Sequence, residues 1–176
     1  MATISRTGFG QVEPNHLSAQ RTAQIYAQLP TVSTIQLLEN GQYVKYNYKE
    51  HCVDLTGAGE WMMVFNEVKL YDDKWRKSYK DFAMIKGDYA SGDMVPRVIK
   101  TNIGDIYTTN CVGAANTSGK ADYAGVAVVV GDILVPSSTG YLTVKGSPEA
   151  TDMQWQCVEV TTMPDGQPAV KLMRIN

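Results

Sequence analysis

From residue 95 onward the chain is a succession of short apolar runs, each cut off by a turn signal. This punctuation limits the possible folds more than any other feature. Val95-Pro96-Arg97-Val98-Ile99-Lys100, then Ile103 to Thr109, then a glycine-interrupted valine run over 124–130, then Val130 to Val135 and Tyr141 to Val144 follow one another at strand length. Two last runs, 155–162 and 169–175, flank Pro164-Asp165-Gly166-Gln167, where proline presets one turn torsion and glycine supplies the positive one, so a hairpin is expected. Ile103-Gly104-Asp105-Ile106 also resembles Val130-Gly131-Asp132-Ile133, and each Gly-Asp marks a tight turn into a strand. Strands this short and this frequent build a small β-barrel or β-sandwich rather than an α/β enzyme.

The first half carries the same signals less regularly. Residues 35–48 contain Asn40-Gly41 between two strand-like runs, which predicts a second hairpin, with Val44, Tyr46 and Tyr48 on one face of its second strand. Cys52 to Thr56 is a short strand, and Gly57-Ala58-Gly59 leads into the most strongly patterned stretch, 59–73. There Trp61-Met62-Met63-Val64 is apolar on both faces, as in a strand that enters a core or an interface and is sealed on both sides, by its own chain or on one side by a neighbouring subunit. Phe65 to Tyr71 then alternates. Residues 74–84 set Trp75, Tyr79 and Phe82 at helical spacing among Lys74, Arg76, Lys77 and Lys80. The segment reads as a short helix or an aromatic-rich loop; a solvated helix face with its aromatics in the core accounts for these residues, and a nucleic-acid surface would use the same ones. The loop 87–93 is the best internal boundary.

The beginning differs from the rest. Gly8, Gly10 and Pro14 make it loose, while Asn15 is placed to cap a short helix over 16–29 with Leu17, Ile25 and Leu29 near one face. Too weak to stand alone in water, such a helix docks on its own domain or orders only in an assembly. The organisation expected is therefore an extended or short-helical N-terminal arm (1–30), a β-rich region (31–90) and a C-terminal barrel-like region (91–176). Removing the arm should leave the β body folded.

Little in the chain points to chemistry. The two histidines, His16 and His51, have no Cys, Asp or Glu at metal-ligand spacing, and Cys52 beside His51 points to the opposite face of a strand. Neither a nucleophile elbow nor a phosphate-binding glycine loop is present, and Asp72-Asp73 with Asp81 reads as a cap with solvated charges rather than an acid–base pair. No catalytic residue, metal or cofactor is assigned. Cys52, Cys111 and Cys157 are odd in number and widely spaced, as small buried hydrophobes of a reducing compartment would be. A net charge of −2 gives no wholesale footprint for nucleic acid, and no run approaches a membrane span or an export signal. The ten tyrosines and eight methionines suit either an internal core or a subunit interface.

The run Gly8-Phe9-Gly10-Gln11-Val12-Glu13-Pro14-Asn15-His16-Leu17-Ser18-Ala19-Gln20 is similar to the beginning of small virion proteins encoded beside the major capsid protein in tailed bacteriophages. So are residues 59–73 and 78–84. Gly131-Asp132-Ile133-Leu134 followed by Gly140-Tyr141-Leu142-Thr143-Val144 resembles the β-barrel pattern of head decoration, or cement, proteins. The resemblance implies a structural protein made in the host cytoplasm that sits on the virion's capsid surface. Its partner would be the major capsid protein, and itself as a homo-oligomer or across the lattice, with no nucleic acid or membrane. The contact residues this suggests are Phe9, Val12, Leu17, Ile25, Tyr26, Leu29, Trp61, Trp75, Tyr79 and Phe82. A head fibre, tail accessory or other module recognising a host surface or carbohydrate is the alternative, and exposed aromatics in 75–82 would favour it.

Overall fold

The computed structural model describes residues 2–15, 24–35, 37–66, 95–113, 125–149 and 152–176, and the backbone of 83–85. It is all-β among the described residues. In chain order the strands are β1 (Ala2–Ile4), β2 (Val12–Glu13), β3 (Ile25–Tyr26), β4 (Leu37–Glu39), β5 (Tyr43–Asn47), β6 (Cys52–Asp54), β7 (Met62–Val64), β8 (Ala83–Ile85), β9 (Val98–Ile99) and β10 (Ile106–Thr109). They continue with β11 (Val126–Val128), β12 (Ile133–Pro136), β13 (Leu142–Val144), β14 (Trp155–Thr162) and β15 (Pro168–Arg174). Two antiparallel sheets form a β-sandwich, one of six strands in the order β13-β12-β14-β15-β10-β2 and one of five in the order β3-β9-β7-β5-β6. Two further pairs, β1-β11 and β4-β8, stand outside them.

The main core lies between the sheets. Tyr107, Trp155, Leu134, Leu172 and Val170 come from the six-stranded sheet, and Tyr43, Met63 and Ile99 form one row of strand partners across the other. Tyr43 and Tyr107 bridge the layers, their hydroxyls 2.8 Å apart, and Tyr107 meets Trp155 edge to face at 4.8 Å. Burial pushes both phenols well above their ordinary pKa, so the pair stays neutral and serves packing.

A second core explains the doubly apolar stretch. β7 is central in its sheet, so Met63 faces the first core while Met62 and Val64 face the other way, alongside Val44, Tyr46 and Val98. Leu29, Val32, Ile35 and Leu38 cover that second face. The strand is sealed on both sides as expected, and of the two covers the sequence allowed, the second is the chain's own residues Tyr26, Leu29, Val32, Ile35 and Leu38.

Three other local expectations are corrected. Residues 24–29 hold no helix: Ile25 and Tyr26, β-branched and aromatic, pair with Ile99 and Val98, and the Lys100 N–H donates to the Gln24 carbonyl at 2.9 Å. Residues 16–23 of the expected helix lie outside the described residues. At Asn40-Gly41 a turn does form, with Gly41 at φ 89° and the Gln42 N–H donating to the Glu39 carbonyl at 3.2 Å. Its flanking strands do not pair, because the Gly41 N–H goes to the Val64 carbonyl and the Val64 N–H to that of Gln42. β5 therefore pairs with β7, and β4 with β8. Nor is the beginning loose. β1 pairs with β11 and β2 with β10, and Ile4 is 1% exposed in the main core. β3, β9 and β7 are neighbours in the five-stranded sheet.

Other sequence signals appear as expected. β14 and β15 form the hairpin, closed by the Met163 N–H to Gln167 carbonyl bond (2.8 Å), with Gly166 at φ 84°. All three cysteines are buried, and burial pushes the Cys111 thiol up to about 12. Residues 67–82, including the rest of the alternating stretch and the Trp75-Tyr79-Phe82 segment, lie outside the described residues.

The two Gly-Asp motifs make the same turn, bond for bond. Asp105 accepts the Asn102 N–H at 2.7 Å and Asp132 accepts the Val129 N–H at 2.9 Å through their side chains. The Gly104 and Gly131 N–H groups donate to the carbonyls of Arg174 and Cys157, whose own N–H groups return to the carbonyls of Asp105 and Asp132. Both glycines adopt the left-handed region, φ 91° and 97°, with nothing within 4 Å of an added Cβ. Gly104→Ala and Gly131→Ala should therefore each cost about 1–2 kcal/mol from backbone strain alone. Urea unfolding of the two single variants and the double should show nearly additive losses, since the turns share no partner.

Candidate functional site

Two surface features stand out above the fold. One is the pair of Gly-Asp turns. Ile133, Gln156, Met173 and Ile106 are successive partners across β12, β14, β15 and β10, and the Gln156–Met173 pair is the midpoint of this row. A local two-fold axis through that midpoint relates one turn to the other. Each turn lifts a large apolar residue into solvent, Ile103 at 69% exposure and Val130 at 63%. β10 and β12 run antiparallel, so the two tips lie beyond opposite ends of this row, while three interstrand spacings, about 14 Å at roughly 4.8 Å each, separate the strands themselves. Neither residue belongs to either core.

The other feature is a cleft of about 360 Å³ at the seam of the sheets. β5 supplies Lys45, and Glu60 and Trp61 lie just before β7. Asp152 precedes β14, and Arg174 ends β15. Glu60 is the hub: one carboxylate oxygen accepts from Arg174 Nη2 at 3.0 Å, the other from Lys100 Nζ at 2.9 Å. Arg174 is itself anchored, donating through Nη1 to Thr101 Oγ1 (2.9 Å) and through Nε to the Asn176 carbonyl (3.0 Å). Its hydrogen bond to Glu60 holds the Lys100 ammonium above its ordinary pKa. Asp152 is held low, chiefly by a 2.5 Å hydrogen bond from Lys145. The Lys45 ammonium sits over the Trp61 ring, 4.5 Å from its centroid.

A smaller hollow shares Gly59 and Glu60 with this cleft, and its other wall is tyrosine. Tyr26, Tyr46 and Tyr48 stack edge to face, with centroids 5.5 and 5.8 Å apart, and Tyr48 is 65% exposed. Among the described residues no group of three or more His, Cys, Asp or Glu is placed to hold a metal ion.

The structure scatters the suggested contact residues. Val12 and Trp61 pack partly buried against the main core, and Tyr26 and Leu29 against the second. Phe9 is half-buried and Ile25 is exposed. Leu17, Trp75, Tyr79 and Phe82 lie outside the described residues. Trp61 and Tyr26 reach the seam region, one in each hollow. Sequence reading missed Ile103 and Val130, although it singled out the motif they lead. It also missed Glu60, Lys100 and Arg174, which no local pattern connects. No family model matches the chain, and no curated protein or solved structure is significantly similar to it.

Proposed function

We propose that this chain is a virion structural protein that binds the outside of a tailed-phage capsid and cements neighbouring capsid subunits, without catalysing a reaction. The observation that carries the reading is the matched pair of exposed apolar turn tips, Ile103 and Val130, on one six-stranded sheet. A capsid presents identical surfaces at fixed spacing. Two like contacts held by one rigid sheet engage two of them at once, and weak contacts then act together. The sequence resemblance to head decoration proteins supports the same assignment.

Mixing the purified protein with capsid shells that lack it, then sedimenting the shells, tests the proposal. Saturable, stoichiometric co-sedimentation is expected, and its absence would overturn the reading. The double variant Ile103→Asp/Val130→Asp should bind at least about tenfold more weakly, a loss of about 1.4 kcal/mol. Its folding stability should stay within roughly 0.5 kcal/mol of the parent, because both side chains are on the surface.

A further inference from the structure

The seam cleft has a chemistry that cementing does not use. Cores of protein–protein contacts are depleted in Lys, Glu and Asp, because burying such groups costs desolvation. Here Lys45, Glu60, Asp152 and Arg174 line the cleft and Lys100 the adjoining hollow. A flat protein surface pressed onto this wall would strip water from all of them. An anionic ligand would meet Glu60 and Asp152, and a cationic one would meet Lys45, Lys100 and Arg174.

A neutral polyhydroxyl ligand avoids both conflicts. Each hydroxyl donates once and accepts twice, so neighbouring hydroxyls satisfy a carboxylate and an ammonium alternately without breaking the ion pairs. The pairs are pre-set: Arg174 fixes Glu60 from one side and is itself anchored to Thr101, so binding orders few side chains. The adjoining tyrosines supply the second element such a ligand needs. Tyr48 is exposed and meets Tyr46 edge to face, and it offers apolar ring surface to the C–H face of a sugar ring. The larger hollow alone is within the size range of small-ligand sites.

We propose that the cleft and hollow together bind a neutral oligosaccharide, with Tyr48 as the stacking platform and the Glu60–Lys100–Arg174 cluster as the hydroxyl-binding group. This assignment is independent of shell binding. The full-length protein, free of shells, is titrated with neutral hexasaccharides of glucose, galactose, mannose and N-acetylglucosamine, and with a sulfated heparin hexasaccharide. Saturation-transfer NMR on the sugars reports binding.

At least one neutral member should bind with a Kd of about 1 mM or tighter. Tyr48→Ala and Glu60→Gln should each weaken that binding about tenfold or more, with unchanged circular dichroism melts. Three results would overturn the proposal: no neutral member bound at ten times that concentration, neutral binding unaffected by both variants, or tighter binding of the sulfated sugar. Both variants should still co-sediment with shells at the parent's affinity, which separates this site from the cementing surface.

Discussion

Replacing Glu39 by alanine is expected to remove about 3–5 kcal/mol of folding stability, a large part of what a domain of this kind has in total. The carboxylate is fully buried and is the centre of a closed network. Arg6 donates to it through Nη1 at 2.8 Å and Nη2 at 3.4 Å, the Gly10 N–H donates at 2.6 Å, and the Tyr141 hydroxyl donates to its other oxygen. Alanine would leave the Arg6 guanidinium charged, with its side chain 1% exposed and its counter-ion gone. Gly10 is part of the same fit, since a Cβ there would meet Cys111 Sγ at 2.8 Å and Arg6 Nη1 at 2.9 Å.

Urea unfolding followed by tryptophan fluorescence measures the loss. The double variant Arg6→Met/Glu39→Leu should recover part of it, because an apolar pair needs no counter-ion although the Gly10 N–H and the Tyr141 hydroxyl lose this acceptor. A single-variant loss below about 1 kcal/mol would mean that the pair is solvated in solution.

Deleting residues 1–13 should abolish cooperative unfolding. The deletion removes Ile4 from the main core, worth about 2–5 kcal/mol by analogy with truncating a buried Ile to Ala. It also takes away Arg6, which leaves Glu39 as an uncompensated buried charge at about 3–5 kcal/mol. The backbone partners of Val126–Val128 and of Thr108 and Thr109 are lost as well. The first two losses alone come to about 5–10 kcal/mol, comparable with the 5–15 kcal/mol that holds an ordinary domain. Circular dichroism melts and the dispersion of an amide NMR spectrum read the result. A deletion that keeps a sharp transition would restore the loose arm that the glycines and Pro14 suggest in the sequence.

What was legible in the sequence was local. Alternation and turn residues located the strands from β9 to β15, the Pro164–Gln167 hairpin and the twin Gly-Asp turns, because each depends on residues within a few positions of one another. Partner choice was not legible. Asn40-Gly41 makes its turn, yet β5 takes β7 because the Gly41 N–H and the Gln42 carbonyl are both committed to Val64. Ile25-Tyr26 looked helical beside Leu29 and is extended, since a free edge at Val98–Ile99, some seventy residues away, accepts it. The buried Glu39 carries no local mark of its partner 33 positions earlier. The seam cleft and its adjoining hollow draw on β5, the approach to β7, the residue after β9, the segment before β14 and the end of β15, which only the fold brings together.

Binding to a shell is necessary for cementing but does not amount to it. The most direct measurement is the temperature at which DNA-filled capsids release their DNA, compared with and without saturating amounts of this protein. If the chain clamps neighbouring subunits against internal pressure, decorated capsids release DNA at a higher temperature, and the Ile103→Asp/Val130→Asp variant confers little of that gain. Equal release temperatures for bare and saturated capsids would contradict the cementing role.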